Sequence, residues 1–292
     1  MLITLADKFD ETLEIRKKIV DIFMTNVNGR KADTTSSDPK HAGKEGHWLE
    51  KQMGVAPNAS NEPDLMGYEM KTETSPITVG SFDPNYWIFR DEKRFPNLVG
   101  KKGKEKTNLR KKNQNDFLNY FGKPNKDKND RMSWSGSPIP KIGKIHSFGM
   151  KITISEDRTC QIFYSFSDDK RENKKSIIPE RFQTGQIEIA RWDASNEESI
   201  MVNWNSRGKK SIREKWNEKW NRNGWFICRK GKDKKYNSIV FGRPQKFEFF
   251  VTHFKTGEIY FDSGMHYGNP RNYCQWRTSK KTFDKLIVET YP

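Results

Sequence analysis

The sequence predicts a mixed α/β fold, helical toward its start and rich in strands after residue 142. Three observations predict it. Apolar residues recur at helical spacing over residues 4–27, two short extended runs flank Gly67, and several runs from Ile142 onward have strand character. At 292 residues the chain can bury a substantial core, in one large domain or two lobes. Hydrophobic residues make up only 33%, yet aromatics reach 13%, so this is a folded protein with large polar loops rather than a disordered one.

The first helix offers Leu5, Phe9, Ile15, Ile19, Ile22, Phe23 and Val27 for packing, and Asn28-Gly29 stops it. Residues 30–39 are polar and read as a loop. Residues 43–53 form a second helix with Trp48, Leu49 and Met53 as packing residues, ended by Gly54. Gly67 then turns the chain between a run ending near Asp64-Leu65 and another starting at Tyr68. In the second run Glu69 and Lys71 share one face of a strand, while Tyr68, Met70 and Thr72 take the other. Trp87-Ile88-Phe89 is expected as a core strand. Further strands are expected over residues 150–155, 161–167, 186–192, 238–241 and 246–253. Residues 207–221 read as a helix, because Ile212, Trp216 and Trp220 recur every four residues. That stripe points to packing against a sheet rather than to stacking on bases. Gly257-Glu258-Ile259-Tyr260 echoes half of a GIY-YIG motif, but no second half follows, so it reads as a turn and a strand start.

Charge is concentrated. Residues 101–131 carry eleven Lys/Arg against four acids and residues 207–235 carry twelve against three, which together account for the whole net charge of +16. Two such segments in a protein of pI 9.6 read as phosphate-contacting surface, the alternative being solvated lysine-rich loops. Residues 101–131 are accordingly expected as a linker or DNA-facing loop, with a helix over 115–121. No run approaches the length of a membrane span, and the charged N-terminal stretch does not fit a secretory signal, so a cytoplasmic protein is expected. Cys160, Cys228 and Cys274 are isolated and odd in number, the pattern of reduced thiols. The five His are scattered and offer no zinc site.

The residues that carry chemistry are Glu50, Asp64, Glu69 and Lys71. Three carboxylates can hold a hard divalent ion such as Mg²⁺, which keeps several waters of its own. Such an ion polarises a phosphoryl oxygen and lowers the pKa of water, and a neighbouring lysine can orient that water and stabilise developing charge. A helix followed by a hairpin can bring the four side chains to one cleft. The competing reading of the same residues is a surface hairpin with a solvated Glu–Lys pair. Near the C-terminus, Asp262, His266, Arg271 and Arg277 lie in and just after a glycine- and proline-bearing loop. Arg can read guanine O6/N7 and Asp the cytosine amino group, although a hairpin closing a sheet would also explain the segment.

The spacing from Glu50 through Asp64 and Glu69 to Lys71 resembles restriction endonucleases of the MvaI/BcnI type and, with a longer hairpin, the MutH mismatch-repair nicking enzyme. Residues 69–89 also resemble LlaMI-type restriction enzymes. The resemblance covers residues 40–90 well and the remainder in general layout. It implies a PD-(D/E)xK nuclease core, a mixed sheet flanked by helices, with a β-rich C-terminal DNA-recognition lobe. Residues 1–100 would form the N-terminal part of the catalytic core, and residues 101–292 the DNA-binding region that completes the sheet. Asp64 and Glu69 would ligate Mg²⁺, Lys71 would position the attacking water, and Glu50 would be the extra acid. A further lysine of the MutH-type site has no clear match, Lys144 and Lys151 remaining open.

The implied function is sequence-specific cleavage of double-stranded DNA, with a cognate DNA methyltransferase acting on the same site outside any stable complex. A single site per chain and the monomeric relatives favour a monomer cutting the strands in turn, and a CC-N-GG type target is conceivable from the LlaMI-like stretch. Two alternatives stay open: a strand-nicking repair nuclease needing partner proteins, and a non-catalytic DNA- or RNA-binding protein. The large basic C-terminal half weighs against the first, and the four-residue ladder against the second.

Overall fold

A computed structural model describes residues 5–35, 43–56, 61–195, 210–269 and 273–292; of residues 5–11 it describes the backbone alone. Arg271, the end of the expected 30–39 loop and the start of the expected 207–221 helix lie outside the described residues. The helices are α1 (Leu5–Asn26), α2 (Lys44–Gln52), α3 (Gly103–Phe121), α4 (Lys174–Ile177), α5 (Ile212–Trp220), α6 (Phe247–Lys255) and α7 (Lys280–Asp284). The strands are β1 (Tyr68–Thr72), β2 (Ile77–Ser81), β3 (Tyr86–Trp87), β4 (Lys123–Asn125), β5 (Arg131–Trp134), β6 (Phe148–Ile154), β7 (Cys160–Asp169), β8 (Gln186–Trp192), β9 (Gly224–Lys230), β10 (Tyr236–Gly242), β11 (Ile259–Asp262), β12 (Met265–His266), β13 (Gln275–Thr278) and β14 (Ile287–Tyr291). The chain divides into two interleaved units. One comprises Met1–Ile77, Trp216–Phe249 and Ser279–Pro292, and the other Thr78–Lys215 and Phe250–Thr278.

The first unit is built on a mixed sheet of order β1-β9-β10-β14. β1 runs parallel to β9, and the remaining pairs are antiparallel. Period-two alternation sends Tyr68 and Met70, Phe226 and Cys228, and Ile239 and Phe241 to one face. There they meet Ile19, Phe23 and Val27 of α1 and Leu49 and Met53 of α2 in one buried cluster. Each fully buried Phe or Ile in it contributes about 2 kcal/mol. On the opposite face Trp225 meets Phe283 edge-on at 4.8 Å, and Phe283 lies 5.7 Å from Trp220. The sheet is therefore covered by helices on both faces, as expected.

The second unit holds an antiparallel sheet β3-β8-β7-β6 and two three-stranded sheets, β11-β13-β2 and β12-β5-β4. Its aromatics explain the unusual composition. Trp87 stacks on Phe89 at 4.8 Å, Phe117 stands perpendicular to Trp134 at 5.0 Å, and Trp192 meets Phe261 and Trp276 at 4.9 and 5.2 Å. Such pairs add about 0.5–1.5 kcal/mol each beyond the area they bury. The three cysteines are free and buried, and burial pushes their thiols far above the usual range.

Three expectations need correction. Residues 247–255 form a helix, not a strand, because Phe247, Phe250, Val251 and Phe254 fall on one buried stripe with Glu248 and Thr252 outside. The Lys-rich stretch from Gly103 is a 19-residue helix rather than a loop. Lys and Arg favour helix, and Asn113, Gln114, Phe117, Leu118 and Phe121 supply the buried face. Trp87-Ile88-Phe89 is buried as expected, but strand ends at Trp87 and a 3₁₀ turn runs from Ile88 to Arg90.

Candidate functional site

The site grows from the turn at Gly67. Met66 and Gly67 both have positive φ, +49° and +80°, the conformation that a two-residue hairpin loop requires. Leu65 and Tyr68 exchange backbone hydrogen bonds of 3.0 and 2.8 Å across it. Glycine is favoured at 67 by its φ of +80°, and a Cβ there would also displace the Asn223 side chain, which clamps the loop by donating to Met66 O while the Asn223 backbone N–H donates to Gly67 O. The turn aims Asp64 back at the strand, where its Oδ2 accepts from the Met70 backbone N–H at 3.0 Å.

Two residues before Lys71, Glu69 is fully buried on the face of β1 that α5 covers. Lys71 donates to its Oε1, and Lys219 of α5 reaches the same oxygen at 2.7 Å. Lys71 also lies 5.5 Å above the Trp220 ring. Glu69 Oε2 is buried with no hydrogen-bond partner among the described residues. Burial, with Lys71 close by, holds the Lys219 ammonium below the usual lysine range against the pull of Glu69.

Glu50 comes from α2, which packs through Leu49 and through Trp48 stacked on Tyr236 at 5.8 Å. Gly54, at φ +76°, ends this helix, and the backbone N–H of Val55 donates to Glu50 O. Burial raises the Glu50 carboxyl above its usual range, as does Asp64, while His47 and Lys71 oppose the shift. A carboxyl with a raised folded pKa contributes its stability in full below the ordinary value near ~4.3 and loses it as pH rises through the raised value. In EDTA, Glu50→Gln is therefore expected to melt higher than the wild type at pH 7, with the two curves converging at acid pH. A variant that melts lower at pH 7 and higher at acid pH would contradict this sign.

The structure thus brings the four expected residues into one neighbourhood and adds Lys219. A signal for Lys219 is present in the sequence, because it stands three residues after Trp216 on the same inward helical face. Lys144 and Lys151, left open for a further lysine, belong to the other unit, and Lys151 extends over Phe163. The donor set fits a hard divalent ion, since Asp64 and Glu69 offer carboxylate oxygens and Glu69 Oε2 is unsatisfied. Among the described residues, however, no three His, Cys, Asp or Glu side chains are drawn together into a metal-ligand group.

Asp262, His266 and Arg277 lie in the second unit. Asp262 ends β11 and accepts from Ser135 Oγ at 2.7 Å and from Gly136 N at 3.2 Å, while Arg277 Nε approaches its other oxygen at 3.3 Å. His266 lies in β12 with its Nδ1 2.7 Å from Tyr267 O.

A family model described as LlaMI restriction endonuclease matches residues 27–291. The chain is 40% identical over 278 residues to the type II restriction enzyme ScrFI of Lactococcus lactis subsp. cremoris, covering 94% of this chain and 98% of that one. Among solved structures, restriction endonuclease MvaI in complex with its cognate DNA substrate matches with a TM-score of 0.50 at 14% identity, over 96% of this chain and 97% of that one. At that identity the likeness shows the fold alone, which is of the PD-(D/E)xK type. The chain belongs to the LlaMI restriction endonuclease family.

Proposed function

We propose that Glu50, Asp64, Glu69, Lys71 and Lys219 form the phosphodiester-hydrolysing centre of this restriction endonuclease, a site-specific deoxyribonuclease by family. The observation that carries the reading is Glu69, buried, clasped on one oxygen by two lysines and unsatisfied on the other. Asp64 and Glu69 Oε2 would hold Mg²⁺, which supplies Lewis acidity and a water nucleophile near neutral pH. Lys219 fixes Glu69 by one oxygen and so keeps the other presented. Lys71 orients the attacking water and stabilises negative charge developing on the phosphoryl group. Glu50, whose carboxyl burial raises above its usual range, is the further acidic group beside Asp64 and Lys71. Asp262, His266, Arg271 and Arg277 are the residues proposed to read the site, within a recognition region drawn from residues 101–292. One centre per chain suits a monomer that cuts the strands of duplex DNA in turn. The reading also implies a cytoplasmic protein and a DNA methyltransferase of the same specificity.

The test is digestion of unmethylated phage DNA with Mg²⁺ or EDTA, beside an Asp64→Asn variant. Discrete fragments from the wild type with Mg²⁺ alone are expected, and none from the variant. Intact DNA in every lane, with duplex binding retained in a gel shift, would overturn the assignment.

A further inference from the structure

The second unit holds a cavity of about 520 Å³ whose lining includes Lys123, Asn125, Lys126, Ser133, Ser135 and Ser137. Its shape follows from a short antiparallel pair. β4 and β5 meet with Lys123 opposite Ser133 and Asn125 opposite Arg131, so Lys123 rises from one strand beside the Ser133 hydroxyl of the other. Asn125 caps the following 3₁₀ turn by accepting from Asp127 N at 3.1 Å, which fixes Lys126 at its start and turns the Asn125 amide N–H groups away from that bond. Ser133 Oγ donates to Arg131 O, and Ser135 Oγ to Asp262, so both hydroxyls are held in place.

The chemistry of this lining selects its ligand. Among the described residues no carboxylate and no aromatic ring lines the cavity. Among the described residues Lys123 and Lys126 form no ion pair. A base would want a stacking plate, which is missing, whereas an anion would find two ammonium groups, an amide donor and the Ser137 hydroxyl. The volume exceeds what one phosphate needs and lies in the range of small-molecule sites, so the attached sugar is accommodated as well.

We propose that this cavity seats a sugar–phosphate unit of the duplex backbone, with Lys123 and Lys126 as its cationic partners and the serine wall fixing its register. The proposal rests on the reading of the chain as a DNA-cutting enzyme, and gives that enzyme a second foothold that positions DNA without reading its sequence.

The experiment is fluorescence anisotropy of a 30-base-pair duplex in EDTA over a KCl series. It compares the wild type, a K123A/K126A variant, and a K17A/K18A control that removes two exposed lysines of α1. Removing one lysine that neutralises a phosphate makes the slope of log K against log salt shallower by about 0.9. The expected result is a slope shallower by about 1–2 in K123A/K126A alone, with the same fragments from phage DNA at higher enzyme concentration. An unchanged slope in a variant that melts like the wild type would overturn the proposal, as would an equal change in the control. Millimolar inorganic phosphate that raises the melting temperature of the wild type but not of K123A/K126A, with equal duplex slopes, would assign the cavity to a free anion and overturn it too. A wild type that binds duplex and leaves it uncut in Mg²⁺ would sink the nuclease reading while the slope comparison still decides the cavity.

Discussion

Glu69→Gln is expected to abolish DNA cleavage and to weaken the fold in the same stroke. The carboxylate is fully buried and offsets the charges of Lys71 and Lys219. A glutamine keeps the shape but leaves two ammonium groups without a counter-charge, and breaking a buried pair in this way costs about 3–5 kcal/mol. Lys219, already held below the usual lysine range by burial and Lys71, falls further in the variant. A lysine with a depressed folded pKa lowers stability while it is protonated, and the loss is recovered as pH rises through the folded value toward the ordinary ~10.4. Urea unfolding should therefore show the largest deficit near neutrality and a smaller one at pH 9.5. Cleavage should drop by at least ~100-fold, the scale on which preorganised charged groups act. A variant as stable as the wild type across this pH range, or one that still cuts, would show that Glu69 is not the hub of the centre.

The second large effect falls in the other unit, at Trp192. Its ring is fully buried, lies within 5.2 Å of Trp276 and 4.9 Å of Phe261, and its Nε1 donates to Phe82 O at 2.7 Å. Trp192→Ala opens a cavity among aromatic rings that cannot collapse onto it, costing about 3–5 kcal/mol. It also removes the hydrogen bond that Trp192 Nε1 donates to the Phe82 carbonyl, a further cost of about 1 kcal/mol. Calorimetry should show the melting temperature lowered by about 10 °C. A shift below 2 °C would mean that the aromatic web repacks, and would contradict the close-packed account of this unit.

How far the sequence discloses this structure depends on whether a residue's role is local. The hairpin at Gly67 is legible because turn chemistry and period-two alternation act over a few residues, and Asp64, Glu69 and Lys71 come with it. The Ile212–Trp216–Trp220 stripe is equally legible, and all three side chains are buried. The run from Phe247 to Phe254 misleads because its β-prone aromatics imitate a strand, and only the i, i+3, i+4, i+7 pattern of burial betrays the helix. In α3 the inward face is masked by polar residues, for Asn113 is buried only because it exchanges hydrogen bonds of 2.8 and 3.1 Å with Asn97. Lys219 is legible as an inward residue of its helix, three places after Trp216, but not as a partner of Glu69. Its partner lies 150 positions earlier in the chain, and no local pattern announces a bond across that distance.

The hydrogen bond between Asp64 and the Met70 N–H reaches beyond chemistry. Among the described residues β1 is the terminal strand of its sheet, and a terminal strand offers a row of amide groups to which any other extended chain can add. Here the outward N–H of Tyr68 is taken by Leu65 O and that of Met70 by the Asp64 carboxylate. The acid proposed to hold the metal therefore also occupies one of the amide groups of that edge. An asparagine at 64 keeps an acceptor for Met70, whereas an alanine uncovers the edge, so an inactive enzyme made the second way trades a dead site for a sticky one.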